Sequence, residues 1–167
     1  FVIGLYHKNN RVSHAVAKSG KESLQIEGEE FVSTVPLTAL IRALNPPPPV
    51  EVVEAASMLG YRDLIVAAVI VNKKSVTDQS WIYIPEKKIP FGRIHEPKNW
   101  SPKMAPEDKT LLVIEYFCFK GDRIWNTPDD ALGDLTVKHL ERSGFLKSMD
   151  VEGTVIVRVP KAYPLFK

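Results

Sequence analysis

The chain has 167 residues, of which 44% are apolar and 25% are charged, a composition typical of a globular domain that buries about two thirds of its surface on folding. Lysine and arginine number 22 against 20 for aspartate and glutamate, a balance that argues against a nucleic acid or an anionic membrane as partner. No segment has the length of a membrane span or the order of a signal peptide, and the single cysteine, Cys118, excludes an internal disulfide and favours a reducing, cytoplasmic location.

The first part of the chain alternates short apolar runs with turn-forming residues. Over residues 1–31 this pattern predicts a β-meander, and a further strand is predicted over residues 31–35. From Pro36 the apolar residues repeat every three or four positions, which predicts a short helix that ends at Asn45. The four prolines at 46–49 predict a stiff extended connection, with an SH3-type ligand as the alternative.

The rest of the chain combines two helices with several strands. A second helix is predicted over residues 50–59. The continuous apolar run at residues 64–71 is typical of a strand that is buried on both faces at the centre of a sheet. A third helix is predicted to begin with Thr127 as its N-cap and Pro128 as its first residue, and to end at Gly144. Further strands are predicted in four segments: 81–84, 91–96, 111–119 and 154–159.

Together these elements predict the α+β class, with a mixed, largely antiparallel sheet and about three helices packed on one of its faces. We expect residues 1–35 to form one part of the molecule and residues 36–167 to form a second, larger domain. Both ends of the sequence are apolar and have the pattern of strands, whereas natural termini are usually polar. The sequence is therefore expected to be part of a longer chain.

Two polar residues on one predicted strand are candidates for binding an anion. If residues 91–96 are extended, Arg93 and His95 point to the same face, and a guanidinium offers a planar fork of donors to a phosphate or a carboxylate. The alternative is an edge strand with a solvated face. The four histidines have no metal-ligand spacing, so no metal site is predicted.

Glu115 lies in the apolar segment 111–119, in which neither face of a strand would be solvated. A carboxylate there needs a partner or a cavity wall, because an isolated buried charge is costly. Arg93 is the expected partner, and the pair would either form a ligand site or fix the strand register as a buried ion pair. Trp81 and Tyr83 share one face of a predicted strand and are able to stack on a ring.

Six segments that include these candidates resemble the flavin-containing amine oxidase and protoporphyrinogen oxidase superfamily, and the similarity extends along almost the whole chain. The segments are Val32–Leu37, Tyr61–Leu64, Trp81–Pro85, Phe91–Trp100, Glu115–Tyr116 and Ala162–Pro164. The resemblance implies the substrate-binding domain of an FAD-dependent oxidoreductase that acts on a small-molecule substrate.

The same resemblance implies how FAD is held. In that superfamily the glycine motif that binds the dinucleotide lies upstream of this region, so an FAD-binding domain of the same parent chain is the implied partner. By this resemblance, Val2 corresponds to the residue whose main chain contacts the adenine of FAD in that superfamily. The chain alone is expected neither to hold FAD tightly nor to be active.

A narrower part of the pattern resembles the UDP-galactopyranose mutases. The segment 93–96 and the pair Glu115 and Tyr116 match residues that line the nucleotide-sugar site in that family. The resemblance implies that Arg93 grips a diphosphate, that Glu115 helps to position it, that Tyr116 lines the same site and that Tyr163 stands near the substrate.

Three functions therefore remain open from the sequence. The first is the substrate-binding domain of an FAD-dependent oxidoreductase, and the second is a domain of a UDP-sugar mutase-like flavoenzyme. The third is a non-catalytic interaction module that binds a partner through the proline run or through exposed aromatic residues.

Overall fold

The computed structural model describes residues 1–165, which divide into two compact units. The first comprises residues 1–60 with Pro164 and Leu165, and the second comprises Tyr61–Tyr163. The elements of the first unit are α1 (Leu37–Ala43), α2 (Val50–Ser57), β1 (Val2–Lys8), β2 (Arg11–Ser19), β3 (Glu22–Glu27) and β4 (Leu44–Asn45). Those of the second are α3 (Asp129–Arg142), β5 (Tyr61–Val71), β6 (Ile82–Tyr83), β7 (Arg93–His95), β8 (Thr110–Cys118) and β9 (Val151–Pro164).

The sheet of the first unit has the strand order β3-β2-β1-β4. β1, β2 and β3 are antiparallel neighbours, and β4 is parallel to β1. Asn9 and Asn10 connect β1 to β2 with φ values of 50° and 59°, and two successive positive φ values are what a type I′ hairpin turn requires. The β-meander predicted over residues 1–31 is confirmed, with its last strand ending at Glu27.

The strand predicted over residues 31–35 is wrong. These residues lie outside any strand, and the Val32 side chain is 92% exposed. An extended segment becomes a strand only when a neighbour completes its hydrogen-bond ladder, and no strand in residues 1–165 pairs with this one. The two helices that follow form as predicted, and α1 packs against α2.

The sheet of the second unit has the strand order β6-β7-β8-β5-β9, and α3 packs on one of its faces. The predicted apolar strand lies inside this sheet, in β5, between β8 and β9. Its residues on the α3 side are almost fully buried, whereas Val66 and Ala68 on the other side are only half-buried. Burial on both faces is therefore not observed, because among residues 1–165 no helix of this unit covers the second face.

The α+β class with three helices and mainly antiparallel strands is confirmed. The strands belong to two sheets rather than to one, however, and α3 is the single α-helix described in the unit that contains the larger sheet. Residues 36–60 belong to the first unit because β4 pairs with β1 and α1 contacts β1. The division of the chain consequently falls after Gly60 rather than at residue 35. In the described part of the chain, no helix is both long enough and apolar enough to span a membrane.

α3 begins without the hydroxyl cap that the sequence predicts. Pro128 occupies the N-cap position, and the Thr127 hydroxyl donates to a main-chain carbonyl four residues earlier. Arg158 of β9 instead fixes the main chain that leads into α3. Its Nε donates to the Trp125 carbonyl at 2.9 Å, and its Nη2 donates to the Thr127 carbonyl at 2.6 Å. The end of the helix is as predicted, since Gly144 follows with a φ of 79°, which favours glycine.

Candidate functional site

Three strands of the second unit bring polar residues into one row across the sheet. Tyr83 pairs with Arg93, and Arg93 pairs with Glu115. The adjacent pair, Ile94 and Ile114, is fully buried in the core together with residues of α3. Because side chains alternate along a strand, the polar row lies on the sheet face opposite α3. We call the row and the side chains that contact it the Arg93 cluster, which consists of Trp81, Tyr83, Arg93, His95, Trp100, Glu115, Phe117 and Tyr163.

Arg93 and Glu115 form a largely buried ion pair. Arg93 Nε donates to Glu115 Oε2 at 2.9 Å, and Arg93 Nη2 donates to the same oxygen. The two side chains are 14% and 6% exposed. The partnership that the sequence predicts is therefore present, and its two charge-assisted hydrogen bonds compensate the desolvation of both groups.

Tyr163 joins this pair from β9. Its hydroxyl accepts a hydrogen bond from Arg93 Nη2 at 2.8 Å, and its ring centroid is 5.8 Å from that of Phe117. Two residues earlier, Lys161 has a φ of 58°, and its amide donates to Asp63 Oδ1 at 2.7 Å. A left-handed residue within a strand bends the strand, and this one lies two positions before Tyr163.

Aromatic rings surround the Arg93 guanidinium. Its central carbon is 4.3 Å from the ring centroid of Trp81, 5.5 Å from that of Phe117 and 5.9 Å from that of Tyr83. These distances allow cation–π attraction to the positive charge. Trp81 and Tyr83 are both exposed, so the cluster presents aromatic surface to solvent. The stacking of a ligand ring on these two residues stays a prediction.

The charges within the cluster balance. Burial acts to lower the pKa of Arg93, but its hydrogen bonds to Glu115 and Tyr163 oppose this effect, and the pKa is raised above its ordinary value. The guanidinium therefore stays positively charged, and the carboxylate of Glu115 is the anion that faces it. The arrangement holds one buried cation and one buried anion without a large net field.

His95 contributes a buried polar atom without a partner. Its Nδ1 makes no hydrogen bond within the described residues and lies 3.6 Å from Glu115 Oε1. Its ring centroid is 4.6 Å from that of Trp81 and 5.1 Å from that of Trp100. Burial lowers the pKa of His95 below its ordinary value, and the charge of Arg93 adds to this effect against the opposing influence of Glu115. The imidazole is therefore neutral at neutral pH.

The lowered pKa of His95 predicts that acid destabilises the fold. The unfolded chain binds the imidazole proton at a higher pH than the folded chain does, so the free energy of unfolding should decrease as the pH falls from about 7 through about 6.5. The substitution His95→Asn removes the imidazole and should reduce this dependence of the free energy of unfolding on pH. Urea unfolding at several pH values measures it.

His139 provides a control for this measurement. Burial and the neighbouring Arg142 and Lys138 also lower the pKa of His139, so His139→Asn should remove a separate part of the same slope. If His95→Asn has the same pH dependence as the unsubstituted protein, His95 is not responsible.

Tyr116 does not belong to the Arg93 cluster. It is fully buried on the α3 side of the sheet, where its hydroxyl lies 2.7 Å from the Thr136 hydroxyl, and burial raises the pKa of Tyr116 to about 12. Adjacent residues of a strand point to opposite faces, so Glu115 and Tyr116 do not line one site. The structure therefore does not bring Tyr116 together with the other predicted substrate-binding residues.

Val2, the predicted cofactor residue, lies in the first unit. It is in β1 opposite Ala17, and about half of its side chain is exposed. β4 pairs with β1 at Leu5 and Tyr6, so in residues 1–165 no strand lies beside Val2 on that edge.

Two members of the Arg93 cluster are missing from the sequence-based set of site residues. Phe117 could have been included, since it follows Glu115 by two positions and therefore shares its face. Trp100 follows the short 3₁₀ turn Pro97–Asn99, and no periodic pattern predicts its contact with His95. Among residues 1–165, no group of three His, Cys, Asp or Glu residues is placed to hold a metal ion.

No protein-family model matches the chain, and no curated protein sequence matches it. Solved structures do match. The chain aligns over 98% of its length with a reduced UDP-galactopyranose mutase, at a TM-score of 0.65 and 20% sequence identity, and covers 34% of that chain. It aligns over 99% of its length with a protein from Exiguobacterium sp. 255-15 described as a protoporphyrinogen oxidase, at a TM-score of 0.60 and 12% identity, and covers 35% of that chain.

A third match is a putrescine oxidase bound to putrescine. The alignment covers 93% of this chain and 33% of that one, at a TM-score of 0.57 and 12% identity. The chain thus spans about a third of the length of each of these three structures. At these identities the similarity establishes the fold alone: the chain has the fold of about one third of each of these three structures.

Proposed function

We propose that this chain is the substrate-binding part of an FAD-dependent oxidoreductase of the amine oxidase and protoporphyrinogen oxidase type. The observation that carries the proposal is the Arg93 cluster, in which Arg93, Glu115 and Tyr163 are joined by hydrogen bonds on the sheet face opposite α3. Polar groups whose orientation is fixed by partners, next to aromatic rings, are suited to orienting a small organic molecule. In this role the cluster binds the substrate and shields it from water.

The proposed cofactor is FAD, which when bound supplies the acceptor for the hydride that the substrate loses. The chain itself would contribute main-chain contacts at Val2 to the adenine, on the edge of β1 that faces away from β2 and that β4 reaches only at Leu5 and Tyr6. The sequence contains no Gly-x-Gly-x-x-Gly motif, so another part of the protein would hold the phosphates.

The proposed partner is an FAD-binding domain of the same parent chain. Val155 and Val157 of β9 are 52% and 48% exposed and alternate with Ile156, which packs against the core. They therefore lie on the sheet face opposite α3. Exposed apolar residues grouped on one face favour contact with another protein surface, and about two thirds of each matched structure lies outside the matched region.

A domain of a UDP-sugar mutase-like flavoenzyme is the second candidate. It is favoured by the similarity to UDP-galactopyranose mutase, which has a higher TM-score and identity than the two oxidase matches reported above. In this role Arg93 would bind a diphosphate. Glu115, however, already matches the charge of Arg93 and occupies its Nε and Nη2, which disfavours a doubly charged ligand. The electrostatics therefore favour the oxidoreductase, with a substrate of low charge.

The full-length gene product, purified under native conditions, tests this proposal. We expect it to be yellow and to show a flavin absorption spectrum, and we expect FAD mixed with the 167-residue chain to keep the spectrum of free FAD. We further expect no binding of UDP or UDP-sugars in calorimetric titrations.

Two results would change this conclusion. A colourless full-length protein that releases no flavin on denaturation contradicts the proposed function. Binding of UDP-sugars that is lost in Arg93→Ala, but kept in the control Arg62→Ala at an exposed position of β5, establishes the mutase-like alternative.

A further inference from the structure

The turn that follows β7 carries a fully buried carboxylate, that of Glu96. It accepts hydrogen bonds from the main-chain amides of Val76 and Thr77, at 3.2 and 2.7 Å, and from the Thr110 hydroxyl at 2.5 Å. Within residues 1–165 its hydrogen-bond partners are all neutral groups. Oriented donors of this kind compensate the desolvation of a buried charge, so Glu96 fixes the main chain at residues 76–77.

Asn99 binds the same loop, which consists of residues 76–79. Its Nδ2 donates to the carbonyl oxygens of Thr77 and Gln79, at 2.9 and 3.0 Å. Residues Pro97–Asn99 form a 3₁₀ turn, in which side chains three positions apart lie on the same side. Glu96 and Asn99 therefore reach one stretch of chain, residues 76–79, and bind both its amides and its carbonyls.

This loop leads directly to the aromatic residue that covers Arg93. Only Ser80 separates Gln79 from Trp81. The Trp81 ring centroid is 4.3 Å from the guanidinium carbon of Arg93 and 5.0 Å from the ring centroid of Trp100, which follows Asn99 in the chain. The position of Trp81 is thus set from two sides by the turn at residues 96–100.

We propose that Glu96 and Asn99 are positioning residues of the Arg93 cluster: by fixing residues 76–79 they hold Trp81 over the Arg93 guanidinium. The inference deepens the proposed function and rests on it, because the place of Trp81 affects binding only if the cluster receives a substrate. A displaced Trp81 would uncover one face of a desolvated cation and change both the size and the polarity of the site. Substrate selectivity would then depend on residues behind the binding surface.

Fluorine NMR of the chain labelled with fluorotryptophan tests the inference. The three tryptophans give three resonances, and Trp81→Phe identifies that of Trp81. In Asn99→Ala we expect the Trp81 resonance to move most of the way to its position in the urea-unfolded chain, while the Trp125 resonance stays in place. Amide exchange at Thr77 should become about tenfold faster, because local opening of the loop costs less.

Lys98→Met is the matched control. Lys98 lies in the same turn, but its Nζ donates to three main-chain carbonyls in residues 106–109 at 2.7 to 2.9 Å. Its loss should lower the stability of the protein without moving the Trp81 resonance. If the resonance is unmoved in Asn99→Ala, or moves equally in Lys98→Met, the positioning role is overturned.

Glu96→Gln should move the Trp81 resonance in the same direction as Asn99→Ala does, but further. The substitution disturbs hydrogen bonds to a fully buried group. If that variant does not fold, Asn99→Ala decides the question. The measurement needs no ligand and no flavin, so its outcome is independent of whether the full-length protein proves to be an oxidoreductase.

Discussion

Arg93→Met is expected to lower the free energy of unfolding by about 3 kcal/mol, because the substitution leaves the Glu115 carboxylate buried without a cation. The Glu115 side chain is almost completely inaccessible to water, so solvent cannot replace the two hydrogen bonds that Arg93 donates. Methionine keeps much of the volume of the arginine stem, and the effect therefore reports the lost charge rather than a cavity. Urea unfolding followed by circular dichroism measures it.

The double variant Arg93→Met/Glu115→Leu separates the ion pair from its surroundings. Removing both charges should recover most of the lost stability, since an apolar pair of similar volume is tolerated where a single charge is not. Arg62→Met, at an exposed position of β5, is the control and should change stability by less than about 0.5 kcal/mol. A double variant that is no more stable than Arg93→Met would show that the two side chains are not coupled.

Gly133→Ala should lower the free energy of unfolding by about 2 kcal/mol, although alanine is the better helix former by about 1 kcal/mol. Gly133 is buried in α3, and a Cβ atom there would clash with the hydroxyl oxygen of Thr154 and lie 3.2 Å from its Cβ. The β-branched side chain of Thr154 has little freedom to move away. Chemical denaturation of the variant checks the sign as well as the size of the effect.

A neighbouring glycine supplies the control for this prediction. At Gly153 a Cβ atom would meet nothing within 4 Å, so Gly153→Ala should change stability by less than about 0.5 kcal/mol. Thr154→Ala in the background of Gly133→Ala should restore most of the loss, because it removes the atoms that clash. If Gly133→Ala is as stable as Gly153→Ala, close contact between α3 and β9 does not limit the size of residue 133.

The features of the fold that local chemistry decides could be predicted from the sequence. The asparagines at positions 9 and 10 form a turn, and Gly144 ends α3 because it adopts a left-handed conformation. Features that depend on distant partners could not be predicted. The segment 31–35 has the composition of a strand but no strand pairs with it, and the start of α3 depends on Arg158, which lies about 30 positions further along the chain.

In the candidate site, too, contacts that follow from local chemistry could be predicted, whereas contacts between distant parts of the chain could not. The pairing of Arg93 with Glu115 follows from the rule that a carboxylate in an apolar strand needs a cation. Tyr163 lies 70 positions from Arg93, and only the family resemblance predicts it as a site residue. No local sequence pattern joins residues so far apart. The family resemblance groups Tyr116 with Glu115, but Tyr116 lies outside the cluster because the alternation of a strand sends the two residues to opposite faces.

The left-handed backbone at Lys161 has a consequence for how the site can change during evolution. Glycine, asparagine or aspartate at position 161 would keep the bend of β9, whereas valine or isoleucine would straighten it. Straightening would carry the Tyr163 hydroxyl away from Arg93, although residue 161 itself does not belong to the Arg93 cluster. Position 161 is therefore expected to tolerate a change of charge more readily than a residue that resists the left-handed conformation, because the hydrogen bond from Arg93 to Tyr163 follows this bend.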